Sequence, residues 1–362
     1  MQKIKNIYHL FQAIIANIFY GFPSRKLKVI GITGTDGKTT TTHLIYHILK
    51  SSGAKASMVS TIYAKVGGKK FDTGLHTTTP SSFTIQKLLT KAVNNGEQYF
   101  VLETTSHALD QNRVWGVQYE VGVITNITHE HLDYHKTYEE YVKAKSKLLK
   151  MAKVAIKNTN KIAGIVKKIP NLTKFNQYNY SYAYSVCKKL GLTDEMILKA
   201  MKTFQLPKGR QDLVYDKDFK VIIDFAHTPN ALLQLLPEIR KKYLKQSGRL
   251  IHVFGSAGLR DVTKRPLMGE ASDKFSDIIL LTEEDYRTED LEIICQQIVL
   301  GIKKKNYQII NDRQQAINQA IEMSKINDVV VITGKGHESS LCRGKIEYPW
   351  DEYEVVRKAL KI

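Results

Sequence analysis

Residues 29–42 (VIGITGTDGKTTTT) restrict the fold of this chain more than any other stretch. A short apolar run ends in Gly34-Thr35-Asp36-Gly37-Lys38-Thr39, and the helix-compatible HLIYHILK follows. Glycines let the backbone turn tightly, so successive N–H groups and a helix N-terminus can face an anion. Lys38 can then reach the β- and γ-phosphates of a nucleotide, and the Thr39 hydroxyl can meet Mg²⁺. Strict Walker A spacing asks for glycine at position 32, where this chain has Ile32, so the loop is the tighter G-T-x-G-K-T form. Gly34, Thr35, Asp36, Gly37, Lys38, Thr39 and Thr40 are the candidate contacts of a nucleoside triphosphate.

From Lys28 onward, strand-like and helix-like segments alternate. VIGIT, KASMVS, YFVLETT and VGVITNI are β-rich, with helical stretches such as PSSFTIQKLLTKAV between them. A helical patch, SYAYSVCKKLGLTDEMILKAMKTF, precedes Pro207-Lys208-Gly209-Arg210, and a second series follows: KVIIDFA, RLIHVFG, DIILLTE, YQII and DVVVITG. Such alternation predicts α/β architecture with mainly parallel sheets covered by helices. The expected division is an N-terminal helix and linker over 1–27, a central phosphate-loop domain over 28–207, and a C-terminal Rossmann-like α/β domain over 208–362.

Charge and cysteine content narrow the function classes. With 54 Lys plus Arg against 35 Asp plus Glu, the formal charge is +19, a field that attracts anions. Residues 143–174 hold ten lysines and no acidic residue. That run reads either as an anionic-substrate surface or as a solvated face. No RNA-type aromatic motif or zinc-finger spacing supports a nucleic-acid partner. Cys187, Cys295 and Cys342 are far apart and form no disulfide framework, which points to a reducing cytoplasm. No signal peptide is evident. Near the start, Leu10, Phe11, Ile14, Ile15, Ile18 and Phe19 recur at helical spacing. The run is too short to span a bilayer. It is expected to dock on the protein's own core, with a membrane-surface or partner contact as the alternative.

Further clusters sit at predicted strand ends, where open α/β sheets bind ligands. Glu103, closing YFVLE, is placed to hold the Mg²⁺ of a bound nucleotide. Residues 126–135 (NITHEHLDYH) carry three His, a Glu and an Asp, yet no Cys or His pair with zinc spacing lies nearby. A magnesium-assisted site or a structural loop are the other readings. Tyr141-Val142-Lys143-Ala144-Lys145 is by itself a basic helix. In the second series, Asp224 can bond ribose hydroxyls, and His227 can pack on the nucleotide or be structural. Residues 255–261 (GSAGLRD), 284–287 (EDYR) and 334–338 (GKGHE) should gather at one edge of the second sheet. Arginines there suit carboxylate recognition, and Asp285 and Glu338 can hold an ammonium.

In order, GITGTDGKTTTT, TTTPSS, LETTSHALDQNRVWG, TNITHEHLDYH, YVKAK, FNQYN, KGRQDLV, DFAHTPNAL, FGSAGLRDVTKRPLMG, EDYRTED and ITGKGHE resemble the Mur ligase family. Within it the resemblance is to the type that forms UDP-N-acetylmuramyl tripeptide (MurE type), and it runs from about residue 20 to about residue 340. The resemblance implies a cytoplasmic, ATP-dependent amide ligase. A carboxylate takes the γ-phosphoryl group to form an acyl phosphate, which an amine then attacks. It implies two Mg²⁺ sites, with Thr39 and Glu103 serving the first, His131 the second, and Lys145 carbamylated so that it can ligate metal. Lys38, Glu103, His131 and Lys145 are the implied catalytic set. Asn179, Arg210, Asp224 and His227 match nucleotide-contacting positions. Thr78, Thr79, Ser106 and Arg113 match the muramyl-peptide side.

For the incoming amino acid, the resemblance implies Arg260, Arg287, Gly334 and Glu338. The family's DNPR reads here Glu284-Asp285-Tyr286-Arg287. Retained Arg287 favours meso-diaminopimelate over lysine, while Asp285 adds an anion that opposes a second carboxylate. Only some 28 residues precede the phosphate loop, where the family carries a UDP-binding domain, and the stretch 158–175 is shorter than its counterpart. UDP recognition is therefore expected to be lost, rebuilt by the basic run, or supplied by a partner. A non-UDP acceptor and a nucleotide-binding scaffold are the alternative functions.

Overall fold

The computed structural model describes every residue except 1, 76, 129, 158–165, 167, 168, 171 and 246, and the side chain of Lys3 is likewise left out. His129 and part of the lysine-rich run therefore lie outside the described residues, as does much of the shortened stretch 158–175. The chain forms two compact units: residues 1–128 with 137–207, and residues 130–136 with 208–362.

In the first unit, seven strands among the described residues form one sheet. They are β1 (Lys28–Thr33), β2 (Ala56–Val59), β3 (Ala64–Val66), β4 (Lys69–Phe71), β5 (Tyr99–Glu103), β6 (Tyr119–Ile124) and β7 (Ala152–Ile156), in the order β4-β3-β2-β5-β1-β6-β7. The pairs from β2 to β7 run parallel, while β3 and β4 add an antiparallel edge. Central β1 is apolar along both faces because helices cover both. Ile30 and Ile32 pack with Leu44, Ile45, Ile48 and Leu49 of the helix Lys38–Ser51. On the other face Val29 packs with Leu88 and Leu89 of the helix Ser82–Asn94. The two-residue alternation of a strand sorts these side chains.

The N-terminal helix, Gln2–Tyr20, packs on the helix Ser82–Asn94, but by a face other than the expected one. Ala13, Ala16 and Asn17 are fully buried, Leu10 and Ile14 are partly buried, and Phe11, Ile15, Ile18 and Phe19 are exposed. Small alanines let the backbone approach closely. Asn17 donates through Nδ2 to the carbonyls of Ala13 and Trp115, both at 2.8 Å. These two bonds satisfy the buried Nδ2 and anchor this face of the helix inward.

In the second unit, six strands among the described residues form a sheet in the order β12-β11-β10-β13-β9-β8. These are β8 (Asp212–Asp216), β9 (Lys220–Ile223), β10 (Leu250–Phe254), β11 (Ile278–Leu281), β12 (Tyr307–Ile309) and β13 (Val329–Ile332). All pairs are parallel except β8 with β9. β14 (Ser340–Arg343) and β15 (Ile346–Pro349) make a separate hairpin. Since β10, β11 and β13 are parallel neighbours, residues 255–261, 284–287 and 334–338 leave the sheet at the same edge.

Candidate active site

The phosphate loop is held by backbone contacts from the β6 end. Thr35 donates its amide to the Asn126 carbonyl at 2.9 Å, and Asp36 donates its amide to the Asn126 side-chain oxygen at 2.9 Å. The Asp36 carbonyl accepts from the Thr125 hydroxyl at 2.7 Å and from Asn126 Nδ2 at 3.1 Å. Glycine is required at both turns. A Cβ on Gly34 would stand 1.8 Å from Thr125 Oγ1, and one on Gly37 would stand 2.2 Å from Asn179 Oδ1. Gly37 also has φ 81°, the left-handed region. Asn179 thus packs against the loop itself. Lys38 opens the helix and donates to the Thr35 carbonyl at 2.8 Å, and Thr40 is buried in the first turn.

At the β5 end, the fully buried carboxylate of Glu103 accepts from the Thr39 hydroxyl at 3.0 Å, the Thr61 hydroxyl at 2.9 Å and the Thr61 amide at 3.0 Å. The Thr78 hydroxyl lies 3.1 Å from Thr61 Oγ1, which can accept from it. Thr79 ties the Glu103 carbonyl to the Thr105 amide, and Arg113 donates to the Thr79 carbonyl at 2.6 Å. Ser106 is buried and begins a short helix capped by Thr105. Among the described residues, no group of three or more His, Cys, Asp or Glu could hold a metal. A hydroxyl beside one buried carboxylate next to a phosphate loop fits Mg²⁺, which keeps waters and takes phosphate oxygens as ligands. It does not fit zinc.

Lys145, on the helix Tyr138–Met151, is 1% exposed. Its ammonium donates to the Gly34 carbonyl at 2.7 Å and lies 4.3 Å from the Tyr141 ring centroid. The Tyr141 hydroxyl is 3.1 Å from Thr35 Oγ1. The helix that reads as merely basic therefore delivers a buried lysine to the loop.

The second unit collects the remaining candidates. Residues 130–136 belong to it: buried Glu130 pairs with Lys264 at 3.2 Å, and Lys264 also donates to the His227 carbonyl at 3.0 Å. His131 follows in the left-handed region, φ 58°, at the start of the helical turn Leu132–His135. Asp224 does not present a free carboxylate edge. Its oxygens accept from the Gln211 and Ala226 amides, both at 2.7 Å, and so hold residues 209–211 on the end of β9. The Arg210 guanidinium lies 4.6 Å from the Phe225 ring centroid. The His227 ring packs edge-on to Phe225, and its Nδ1–H donates to the Phe225 carbonyl at 2.9 Å. Burial first, then the Lys264 ammonium, push the His227 pKa down to about 3, so its Nε2 is an acceptor at neutral pH.

At the shared edge of β10, β11 and β13, the two carboxylates expected to meet an ammonium both pair with Lys335. Lys335, fully buried, places Nζ 2.7 Å from Asp285 and 2.5 Å from Glu338. Burial draws this ammonium toward neutrality, but the Glu338 and Asp285 carboxylates outweigh it and raise its pKa. Asp285 also accepts from the Cys342 amide at 2.9 Å. Arg287 has φ 54° and donates to the Gly258 carbonyl at 2.8 Å. Gly334 has φ 105°, and a Cβ there would stand 2.7 Å from Glu284 Oε2. Burial raises the Glu284 pKa against the pull of Lys264. Arg260 is exposed, and its guanidinium makes no hydrogen bond or ion pair among the described residues. Sequence reasoning passed over Thr61, Asn126, Lys264 and Lys335. Of these, Asn126, Lys264 and Lys335 stand inside motifs already singled out, and Thr61 does not.

A model of the Mur ligase middle domain matches residues 32–204, and a model of the Mur ligase glutamate ligase domain matches residues 209–336. A Clostridium acetobutylicum protein named UDP-N-acetylmuramoyl-L-alanyl-D-glutamate–2,6-diaminopimelate ligase 1 is 38% identical, over 96% of this chain and 81% of the relative. This chain belongs to the Mur ligase family. Mur ligases are ATP-dependent, ADP-forming enzymes that use Mg²⁺, and this chain is one of them. An Aquifex aeolicus diaminopimelate ligase is 37% identical over 95% of this chain and 80% of the relative. A solved structure of a UDP-N-acetylmuramoyl-L-alanyl-D-glutamate–2,6-diaminopimelate ligase is 28% identical. It superposes with a TM-score of 0.57 over 92% of this chain and 78% of that one. The clostridial alignment spans 396 positions, more than the 362 residues here, so that relative carries segments this Mur ligase lacks within the aligned span.

Proposed function

We propose that this Mur ligase joins meso-2,6-diaminopimelate to the peptide carboxylate of UDP-N-acetylmuramoyl-L-alanyl-D-glutamate, in the synthesis of a peptidoglycan precursor. The relatives at 37–38% identity carry that name. The observation that carries the choice of amine is the Asp285–Lys335 contact at 2.7 Å. An uncompensated Asp285 would repel the second carboxylate of diaminopimelate. Lys335 and, at 3.8 Å, Arg287 both pair with Asp285 and offset its charge; Arg260 and Arg287 are assigned to the substrate carboxylate and Glu338 to the substrate ammonium.

In this reading a carboxylate, a poor electrophile, becomes one by taking the γ-phosphoryl group of ATP. The nucleotide releases ADP, the diaminopimelate amine attacks the acyl phosphate, and the tetrahedral intermediate expels phosphate. Lys38 and the loop amides hold the phosphates. Mg²⁺ at Thr39 and Glu103 supplies charge neutralisation during transfer. Lys145 is assigned to a second Mg²⁺, and His131 keeps the metal-ligand role that the resemblance gives it. An ammonium cannot ligate a cation, so Lys145 serves as its carbamate, formed when the neutral amine attacks CO₂ and loses a proton. A carbamate keeps one N–H, enough for the bond that the Lys145 nitrogen makes to the Gly34 carbonyl. Thr78, Thr79, Ser106 and Arg113 are assigned to the muramyl peptide, and Asn179, Arg210 and His227 to the nucleotide. Asp224 acts on the nucleotide through the residues 209–211 that it holds.

The test is ADP release with the UDP-muramyl dipeptide crossed against meso-diaminopimelate and lysine, with products weighed by mass spectrometry. Turnover and tripeptide with diaminopimelate alone are expected. A preference for lysine would refute the amine assignment, and release that ignores the dipeptide would refute the acceptor.

A further inference from the structure

The helix Gln2–Tyr20 carries two apolar faces, and only one is used by the fold. Ala13, Ala16 and Asn17 face the first unit. On the opposite side Ile4, Ile7, Tyr8, Phe11, Ile15, Ile18 and Phe19 are all between 55% and 74% exposed. Their spacing places them on one stripe about 120° wide and about 22 Å long, given 100° and 1.5 Å per residue. No charged residue interrupts it. A stripe of this kind is far larger than the scattered apolar residues of an ordinary surface.

Its surroundings say what covers it. No acidic residue occurs before Asp36, whereas Lys3, Lys5, Arg25, Lys26 and Lys28 lie in that span. Lys5 is exposed at one end of the stripe. At the other, the chain turns at Gly21 and Phe22 into a short 3₁₀ helix, Pro23–Lys26, that leaves Arg25, Lys26 and Lys28 exposed. Apolar side chains flanked by cations match an anionic bilayer surface: the stripe enters the acyl boundary and the basic ends meet the headgroups. A second copy of the chain would bring the same cations together with no anion between them. No helix among the described residues is long and apolar enough to cross a membrane, so the contact is one of lying on the surface.

We propose that the N-terminal helix docks this enzyme in the plane of an anionic lipid membrane through the Ile4–Phe19 stripe. The proposal is independent of which amino acid the enzyme adds. The whole chain is sedimented with phosphatidylglycerol-containing vesicles and with pure phosphatidylcholine vesicles, and its mass in solution is measured by light scattering. Binding to the anionic vesicles is expected, reduced about fivefold for each of Lys5→Gln and Lys26→Gln. The double variant Phe11→Glu, Ile15→Glu should lose binding by about a hundredfold or more, while keeping its ADP release as proof of folding. Equal binding to both vesicle types, or to neither, would overturn the proposal. So would a dimer that the double variant converts to monomer.

Discussion

Lys335 shows how one buried cation can settle the chemistry of its neighbours. It sits between Asp285 and Glu338 with no exposure. Removing one partner of a buried ionic cluster typically costs about 3–5 kcal/mol, because the charges left behind stay desolvated. Lys335→Met is therefore expected to lower unfolding stability by about that amount in urea titration. Asp285→Asn in the same background should recover part of it, since asparagine removes one stranded charge. Recovery failing to appear would mean that the two residues are not coupled. His252 offers a pH readout. Its Nδ1 lies 2.8 Å from Ser272 Oγ and its Nε2 lies 3.0 Å from Thr333 Oγ1. Burial, then the Arg313 guanidinium, push its pKa down to about 3. The unfolded chain takes up this proton near the ordinary value of about 6.5, and the folded protein does not until about 3. Stability should then fall as pH drops through that window, by about 1.4 kcal/mol per unit from this group. Wild type and His252→Gln, compared by urea unfolding between about pH 6.5 and 5, should differ in slope by that amount, with the variant less steep.

At the scale of elements, the phosphate loop depends on the loop after β6 as much as on its own glycines. Asn126 bonds both the amide and the carbonyl of Asp36. Asn126→Ala removes two bonds at about 1 kcal/mol each. The KM for ATP is expected to rise about tenfold in steady-state kinetics, with the KM for the amino acid unchanged. A parallel rise in both would show a general loss of fold. The apolar strands β1, β2, β5, β6, β9, β10, β11 and β13 were legible because buried strands read as continuous hydrophobic runs. β7 and β8 were not, because AKVAI and DLVYD mix charges into edge strands. In the N-terminal helix the periodicity was visible, yet pattern alone does not rank two apolar faces. Ala13, Ala16 and the buried amide of Asn17 decided between them.

For the whole molecule, linear order and spatial grouping part company at residues 130–136. They lie in sequence inside the central domain, yet Glu130 packs with Lys264 in the second unit. No spacing rule reaches across a sequence separation of 134. Alternation of strand-like and helix-like runs carried the α/β class, and local backbone chemistry carried the phosphate loop and the strand-end position of Glu103; the family came from the resemblance of the ordered motifs. Two results needed the folded chain: that Lys335 and Arg287 both pair with Asp285, and that the first helix turns its larger apolar stripe outward. Both are competitions among desolvated charges and packed surfaces, and their winners depend on neighbours that only tertiary folding brings into contact.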